Sequence, residues 1–209
     1  MDVCTKAYKI VTILKKIYPA TCSLNYNSDW QLLFAVRLSA QCTDERVNKV
    51  TPRLFEKFPT LESFATADVD EICEIIHSCG LFRTKGEDLK NIAIMLTGQY
   101  GGKLPKTIEE LTKLPGIGRK TANIILGDVF KMPAIAADTH CIRISNRLGL
   151  VHTKDPYKTE IELKRIIEPC EQSDFCHRLV HFGRDICTAR KPKCQNCPVK
   201  ELCAAQEVS

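Results

Sequence analysis

The chain contains no apolar run approaching the ~18 residues that cross a bilayer. Its first residues, Met1 to Lys9, hold no continuous apolar segment of the kind a secretory leader needs. A spanning membrane protein and an exported one are therefore both unexpected. No stretch alternates polar and apolar residues between hairpin turns, which excludes sheet sandwiches and barrels. Repeats, low-complexity tracts and long linkers are also missing, so any two domains must be closely packed. The 209 residues suffice for one large or two small domains with real cores, and 44% hydrophobic against 26% charged residues is an ordinary globular balance. What is plentiful is cysteine, with twelve residues. Without a leader, and in a chain too long for a small disulfide scaffold, they point to a reducing compartment where thiols stay free or bind metal. The expected location is the cytoplasm, at the nucleoid.

The net charge of +5 is modest, but it is unevenly spread. Lys113 to Lys131 carries Lys113, Arg119, Lys120 and Lys131 against Asp128, and Cys187 to Ser209 carries Arg190, Lys191, Lys193 and Lys200 against Glu201 and Glu207. Two basic segments suit a polyanion such as DNA, although solvated surface charge explains them equally well.

Helical punctuation dominates the chain. Val3, Ala7, Ile10, Leu14 and Ile17 recur at steps of four and three before Pro19. Ser28 with Gln31 and Thr107 with Glu110 form capping boxes. Asp44 can cap a helix whose apolar face is Val47, Val50, Leu54 and Phe58. Further helices are expected from about Val69 to Gly80, from about Lys85 to Gly101, and from Arg119 to Phe130. Three more run from the cap Asp138 to Arg147, from Asp155-Pro156 onward, and from about Phe175 to Arg184. The fold class is all-α.

Cys187, Cys194, Cys197 and Cys203 form a C-x6-C-x2-C-x5-C pattern. Four thiolates on one short loop can close on structural zinc or on an iron–sulfur cluster, and spacing alone favours neither. The other eight cysteines mostly sit in apolar patterns and read as small buried hydrophobes. His177 and His181 stand four apart, a zinc-compatible spacing, but no acidic residue of an H-E-x-x-H motif lies between them.

Leu114-Pro115-Gly116-Ile117-Gly118-Arg119-Lys120-Thr121-Ala122 carries the most chemistry. A short helix, a Pro-Gly-x-Gly turn and a second helix gather backbone N–H groups at one helix N-terminus, a ready anion site. Gly116 and Gly118 permit positive φ and remove Cβ atoms, so a phosphate can come close. The turn reads as a grip on the DNA backbone that is blind to sequence, or as an ordinary interhelical connection. Lys120 follows directly. An amine nucleophile must be neutral, a form that a helix N-terminus, burial and a neighbouring cation such as Arg119 all favour. Asp138 is an N-cap by pattern, and a carboxylate is also suited to stabilising positive charge or relaying a proton.

Leu114 to Ala122 as a unit resembles the helix-hairpin-helix motif of a DNA glycosylase superfamily. The terminal cysteine spacing resembles the [4Fe-4S] loop of its endonuclease III-like family, and Ala136 to Arg143, an A-x-D-T-H-x-x-R segment, resembles the superfamily's aspartate motif. The likeness covers essentially the whole chain. It implies a six-helix domain over 22–133 carrying the hairpin and a second domain of 1–21 and 134–209 around the cluster, with a cleft between them. It implies that Cys187, Cys194, Cys197 and Cys203 hold a [4Fe-4S] cluster. Lys120 would attack the deoxyribose C1′, form a Schiff base and cleave the strand by β-elimination, with Asp138 as its partner. Leu38 to Asp44 resembles the segment whose glutamine, here Gln41, fills the gap left by a flipped nucleotide. Gly80 to Lys85 resembles the loop whose leucine, here Leu81, wedges into the opposite strand. Gly116, Gly118 and Arg119, with Arg190, Lys191 and Lys193 of the cysteine loop, are the remaining expected DNA contacts. The implied partner is double-stranded DNA with oxidised or ring-saturated pyrimidines or abasic sites, engaged by a monomer. A monofunctional adenine mismatch glycosylase would typically lack Lys120 and extend beyond Ser209. A non-catalytic iron–sulfur protein that binds DNA or senses redox state would leave Lys120 and Asp138 without a role.

Overall fold

A computed structural model describes residues 1–205. Every regular element among them is helical. Eleven α-helices follow one another: α1 (Val3–Ile17), α2 (Asp29–Leu38), α3 (Asp44–Lys57), α4 (Leu61–Thr66), α5 (Val69–Ile76), α6 (Phe82–Gln99), α7 (Ile108–Leu111), α8 (Arg119–Asp128), α9 (Thr139–Leu148), α10 (Pro156–Ile166) and α11 (Gln172–Asp185). Short 3-10 turns lie at His77–Cys79, Pro169–Glu171, Cys194–Asn196 and Lys200–Leu202.

The chain divides into two compact units, Cys22–Phe130 and Met1–Thr21 with Lys131–Ser209. The first holds six helices of six residues or more and the four-residue α7. Its core is aromatic at one end: Trp30, Phe34 and Phe64 meet edge to face, with Phe34 and Phe64 ring centres 4.8 Å apart. That geometry lets the positive ring edge meet the negative ring face. In the second unit α1, α9 and α11 bury Ile10, Leu14, Ile144, Leu148, Phe175, Leu179 and Phe182 against one another. α11 reaches α9 at Gly183, where a Cβ would stand 2.4 Å from His140 Nδ1 and 2.8 Å from Ile144 Cδ1. A Cβ there would push those side chains aside, so this glycine lets the two helices run close.

Local starts and stops depart from the sequence pattern in small ways with clear causes. Thr43 rather than Asp44 caps α3, accepting from the Arg46 N–H, and Asp44 becomes the first helical residue. Ser28 makes no side-chain cap bond, and Gln31 instead accepts from the Asn27 N–H at 2.8 Å. At α7 only half the box forms: Thr107 accepts from the Glu110 N–H, but the Glu110 carboxylate binds the Tyr100 hydroxyl and Lys113. α4 is unheralded because six residues are too few to display a period, though Thr60 and Ser63 close a full capping box at its start. α6 begins at Phe82, three residues before Lys85, behind a leucine N-cap that carries no capping signal. In α1 the stripe is buried only at Ala7, Ile10 and Leu14, while Val3 and Ile17 are exposed. Of the eight cysteines outside the C-terminal loop, Cys73, Cys79, Cys141 and Cys176 are buried, Cys22 and Cys42 half-buried, and Cys4 and Cys170 exposed.

Candidate active site and iron–sulfur loop

Leu114 and Ile117 are buried and pin both ends of the turn between α7 and α8. Ile117 N–H donates to Leu114 O at 3.1 Å, closing the turn around Gly116, which has a φ of 67°. A Cβ on Gly116 would meet Arg37 Nε at 2.2 Å and Asp88 Oδ2 at 2.4 Å. Those two side chains form an ion pair of their own, with Nε donating to Oδ2 at 2.7 Å. The missing side chain at Gly116 therefore makes room for a protein ion pair beneath the turn. Gly118 differs: it is exposed, and nothing lies within 4 Å of where its Cβ would be. It is also the N-cap of α8 and has no side chain with which to cap. The positive end of the α8 dipole thus opens at bare backbone. Arg119, half-buried, is the first residue of α8, and Lys120, exposed, is the second. The burial expected for Lys120 is not found.

Asp138 lies in the other unit. Its Oδ1 accepts from the Cys141 N–H at 2.7 Å, which caps α9. Its own N–H donates to Ala136 O at 2.8 Å, so the chain turns sharply just before the cap. Half-buried, the carboxylate sits at the positive end of the α9 dipole, which stabilises its charge.

α9 also carries two arginines whose roles the sequence did not disclose. Arg143 Nη2 donates to Cys187 O at 2.9 Å. Arg147 donates to Thr188 O at 2.7 Å and Ala189 O at 2.8 Å, and its Nη1 lies 3.5 Å from Cys187 Sγ. Arg147 O in turn accepts from the Ala205 N–H at 2.9 Å and the Cys203 thiol at 3.3 Å. Both ends of the cysteine loop are thus tied to the helix that Asp138 caps. A spacing of four places Arg143 and Arg147 on one face of α9, but only the folded chain shows what that face meets.

Cys187, Cys194, Cys197 and Cys203 line one cavity with Leu148, Phe182 and Ile186. Burial pushes the Cys197 and Cys203 thiols above their ordinary pKa, and the neighbouring thiols add to it. A site that resists free thiolates is relieved once a metal centre takes up their charge. Among the described residues, no three of these or other ligating side chains are grouped as a single ion would require. Four thiols around one cavity supply the donor set that an iron–sulfur cluster takes. His181, by contrast, has its Nε2 3.3 Å from Thr21 O. Arg190, Lys191 and Lys193 are exposed on the loop between Cys187 and Cys194, Lys193 lying 3.6 Å from Asp185.

Gln41 and Leu81, both in the hairpin's unit, share an unusual backbone state. Their φ values are 54° and 48°, in the left-handed region that non-glycine residues avoid. Both are exposed, Leu81 to 57%. A left-handed, solvent-exposed leucine contributes little to stability, and such outliers gather at ligand clamps.

The all-helical fold, the hairpin and the cysteine loop together define a helix-hairpin-helix DNA repair protein. Residues 34–169 match the HhH-GPD superfamily base excision DNA repair protein family, and residues 187–203 match the iron-sulfur binding domain of endonuclease III. Endonuclease III of Synechocystis is 44% identical over 206 residues, which span 98% of this chain and 94% of that protein. The Bacillus subtilis endonuclease III is 42% identical, over 88% of this chain and 84% of its own length. The solved structure of a trapped endonuclease III–DNA covalent intermediate superposes with a TM-score of 0.91 at 40% identity, covering 99% of this chain and 97% of that one. The chain belongs to the endonuclease III family. It is a base excision repair enzyme, a bifunctional DNA glycosylase and abasic-site lyase that carries a [4Fe-4S] cluster.

Cys194→Ser is expected to lower cluster occupancy, read as iron per protein and loss of the yellow-brown colour, because four thiolates complete the coordination. DNA affinity should fall with it, since Arg190, Lys191 and Lys193 ride on the loop that the cluster closes. Parental iron content and affinity in this variant would mean that three thiols suffice.

Proposed function

We propose that Lys120 is the nucleophile, that Asp138 assists it, and that the substrate is duplex DNA containing an oxidised or ring-saturated pyrimidine. The observation that carries this reading is an exposed amine in the first turn of the helix opened by the bare Gly118 backbone. A phosphate held at that backbone would bring the neighbouring sugar to the lysine, so gripping and attack share one element. The Lys120 amine adds at C1′ as the glycosidic bond breaks and the base leaves with a proton. Sugar ring opening yields the Schiff base, loss of a C2′ proton expels the 3′-phosphate, and water then frees the amine. The Asp138 carboxylate stabilises positive charge at C1′ while the base departs.

Cys187, Cys194, Cys197 and Cys203 hold the cluster. Once bound, it fixes the loop through iron–thiolate bonds and offers a centre able to exchange one electron. Arg190, Lys191 and Lys193 on that loop, with Arg119, meet backbone phosphates. Gln41 and Leu81 fill the space left by an extruded nucleotide, a use that suits two exposed residues already held in a strained backbone state. The enzyme acts as a monomer, in the cytoplasm at the nucleoid. No helix among the described residues is long and apolar enough to cross a membrane.

The lesion class follows from stacking. A base that has lost planarity stacks poorly, so extruding it costs less than extruding a normal one. Thymine glycol and 5-hydroxycytosine duplexes are therefore expected to be excised well ahead of uracil, of 8-oxoguanine opposite cytosine, and of adenine opposite 8-oxoguanine. Excision confined to adenine or uracil would overturn the substrate assignment.

A further inference from the structure

Lys85 is fully buried, with a relative exposure of 0%. Lysine reaches that state only when its ammonium is fully engaged. Its Nζ donates to Leu38 O at 2.9 Å, Ala40 O at 2.8 Å and Cys79 O at 2.9 Å, using all three ammonium hydrogens. Leu38 ends α2, and its carbonyl belongs to the negative pole of that helix, where a cation is favoured. Ala40 immediately precedes Gln41. Cys79 closes the 3-10 turn two residues before Leu81. One ammonium therefore joins the two loops that carry Gln41 and Leu81. Both left-handed residues flank the carbonyls that the ammonium holds.

An apolar side chain of equal length would leave three carbonyls without this donor, and nothing else described joins the same three. The site is thus built around the cation rather than merely tolerating it.

We propose that Lys85 is a positioning residue for duplex opening, setting Gln41 and Leu81 at a constant separation as one two-pronged element. The inference rests on the reading that Gln41 and Leu81 fill the gap. A fixed pair enters the stack with its ordering already done, whereas two independent loops would have to be ordered on the DNA.

Lys85→Met, which is one atom shorter and close in volume but lacks the ammonium, tests this in the cluster-loaded enzyme. Two substrates separate positioning from simple damage to the fold: a thymine glycol duplex, and a single-stranded abasic oligonucleotide with no opposite strand and no stack to fill. Single-turnover excision from the duplex is expected to fall by about tenfold or more, because misplaced contacts cost orders of magnitude. Borohydride trapping on the single strand and the cluster colour are expected to stay near parental values. An equal loss on both substrates, or no loss on the duplex, would overturn the proposal. If Lys85→Met does not fold, Lys85→Arg replaces it with the same expected split, since a planar guanidinium cannot bring one nitrogen to three carbonyls.

The paired variant Gln41→Ala/Leu81→Ala tests the underlying reading separately. If it excises thymine glycol from the duplex as well as the parent, the gap-filling reading fails whatever Lys85 does. If it is impaired, adding Lys85→Met should cost less than about twofold more, because residues acting through one another are not additive. A further tenfold loss in that background would mean that Lys85 acts by another route.

Discussion

Lys120→Ala is expected to abolish covalent trapping by borohydride on abasic DNA while DNA affinity stays close to parental. Only an amine can form the Schiff base that borohydride reduces, so the loss should be total rather than graded. The fold should not suffer. Lys120 is exposed and makes up part of a first helical turn in which cations are disfavoured. Its removal also places the best helix former in α8, so the melting temperature should hold or rise slightly. In the proposed reading the hairpin holds phosphate mainly through backbone at Gly118, which the substitution leaves in place. Gel-shift affinity and the salt dependence of binding, measured beside trapping, separate loss of the nucleophile from loss of binding. Trapping at parental levels would move the nucleophile to another residue.

The second large effect belongs to Asp138→Asn. Asparagine caps helices about as well as aspartate, and the cap uses one oxygen, Oδ1, which the amide retains for the Cys141 N–H. Thermal unfolding should therefore be nearly unchanged. Base excision should nevertheless fall by two or more orders of magnitude, equivalent to about 2.7 kcal/mol or more of lost transition-state stabilisation. What the amide lacks is negative charge, and the excision step develops positive charge at the sugar. Single-turnover excision from a thymine glycol duplex, alongside a melting curve, reads both quantities. A variant as active as the parent would reduce Asp138 to a structural cap.

Much of this was legible because it is local. An N-cap, a glycine stop, a Pro-Gly-x-Gly turn or four cysteines on one loop each act within a few residues, so each leaves its mark on the linear chain. The N-cap Asp138 and the Asp155-Pro156 start of α10 stand where those signals put them. Where two local signals competed, the pattern slipped by a residue or so: Thr43 took the cap from Asp44. Elements shorter than two turns, such as α4, left no period to detect.

By itself, then, the sequence determined the all-α class, the Pro-Gly-x-Gly hairpin and the presence of four cysteines on one loop, since capping, periodicity and spacing are properties of neighbours in the chain, while the choice of iron–sulfur over zinc came from the family resemblance. Only the tertiary structure decided what those motifs rest on. Gly116 backs onto an Arg37–Asp88 pair whose members are 51 residues apart. Arg147 holds carbonyls 41 and 42 residues onward, and Lys85 reaches back 47 residues to Leu38. The physical reason is that a buried charge or a buried carbonyl takes whatever partner the fold brings near it, and that partner's distance along the chain follows no rule a single sequence can display.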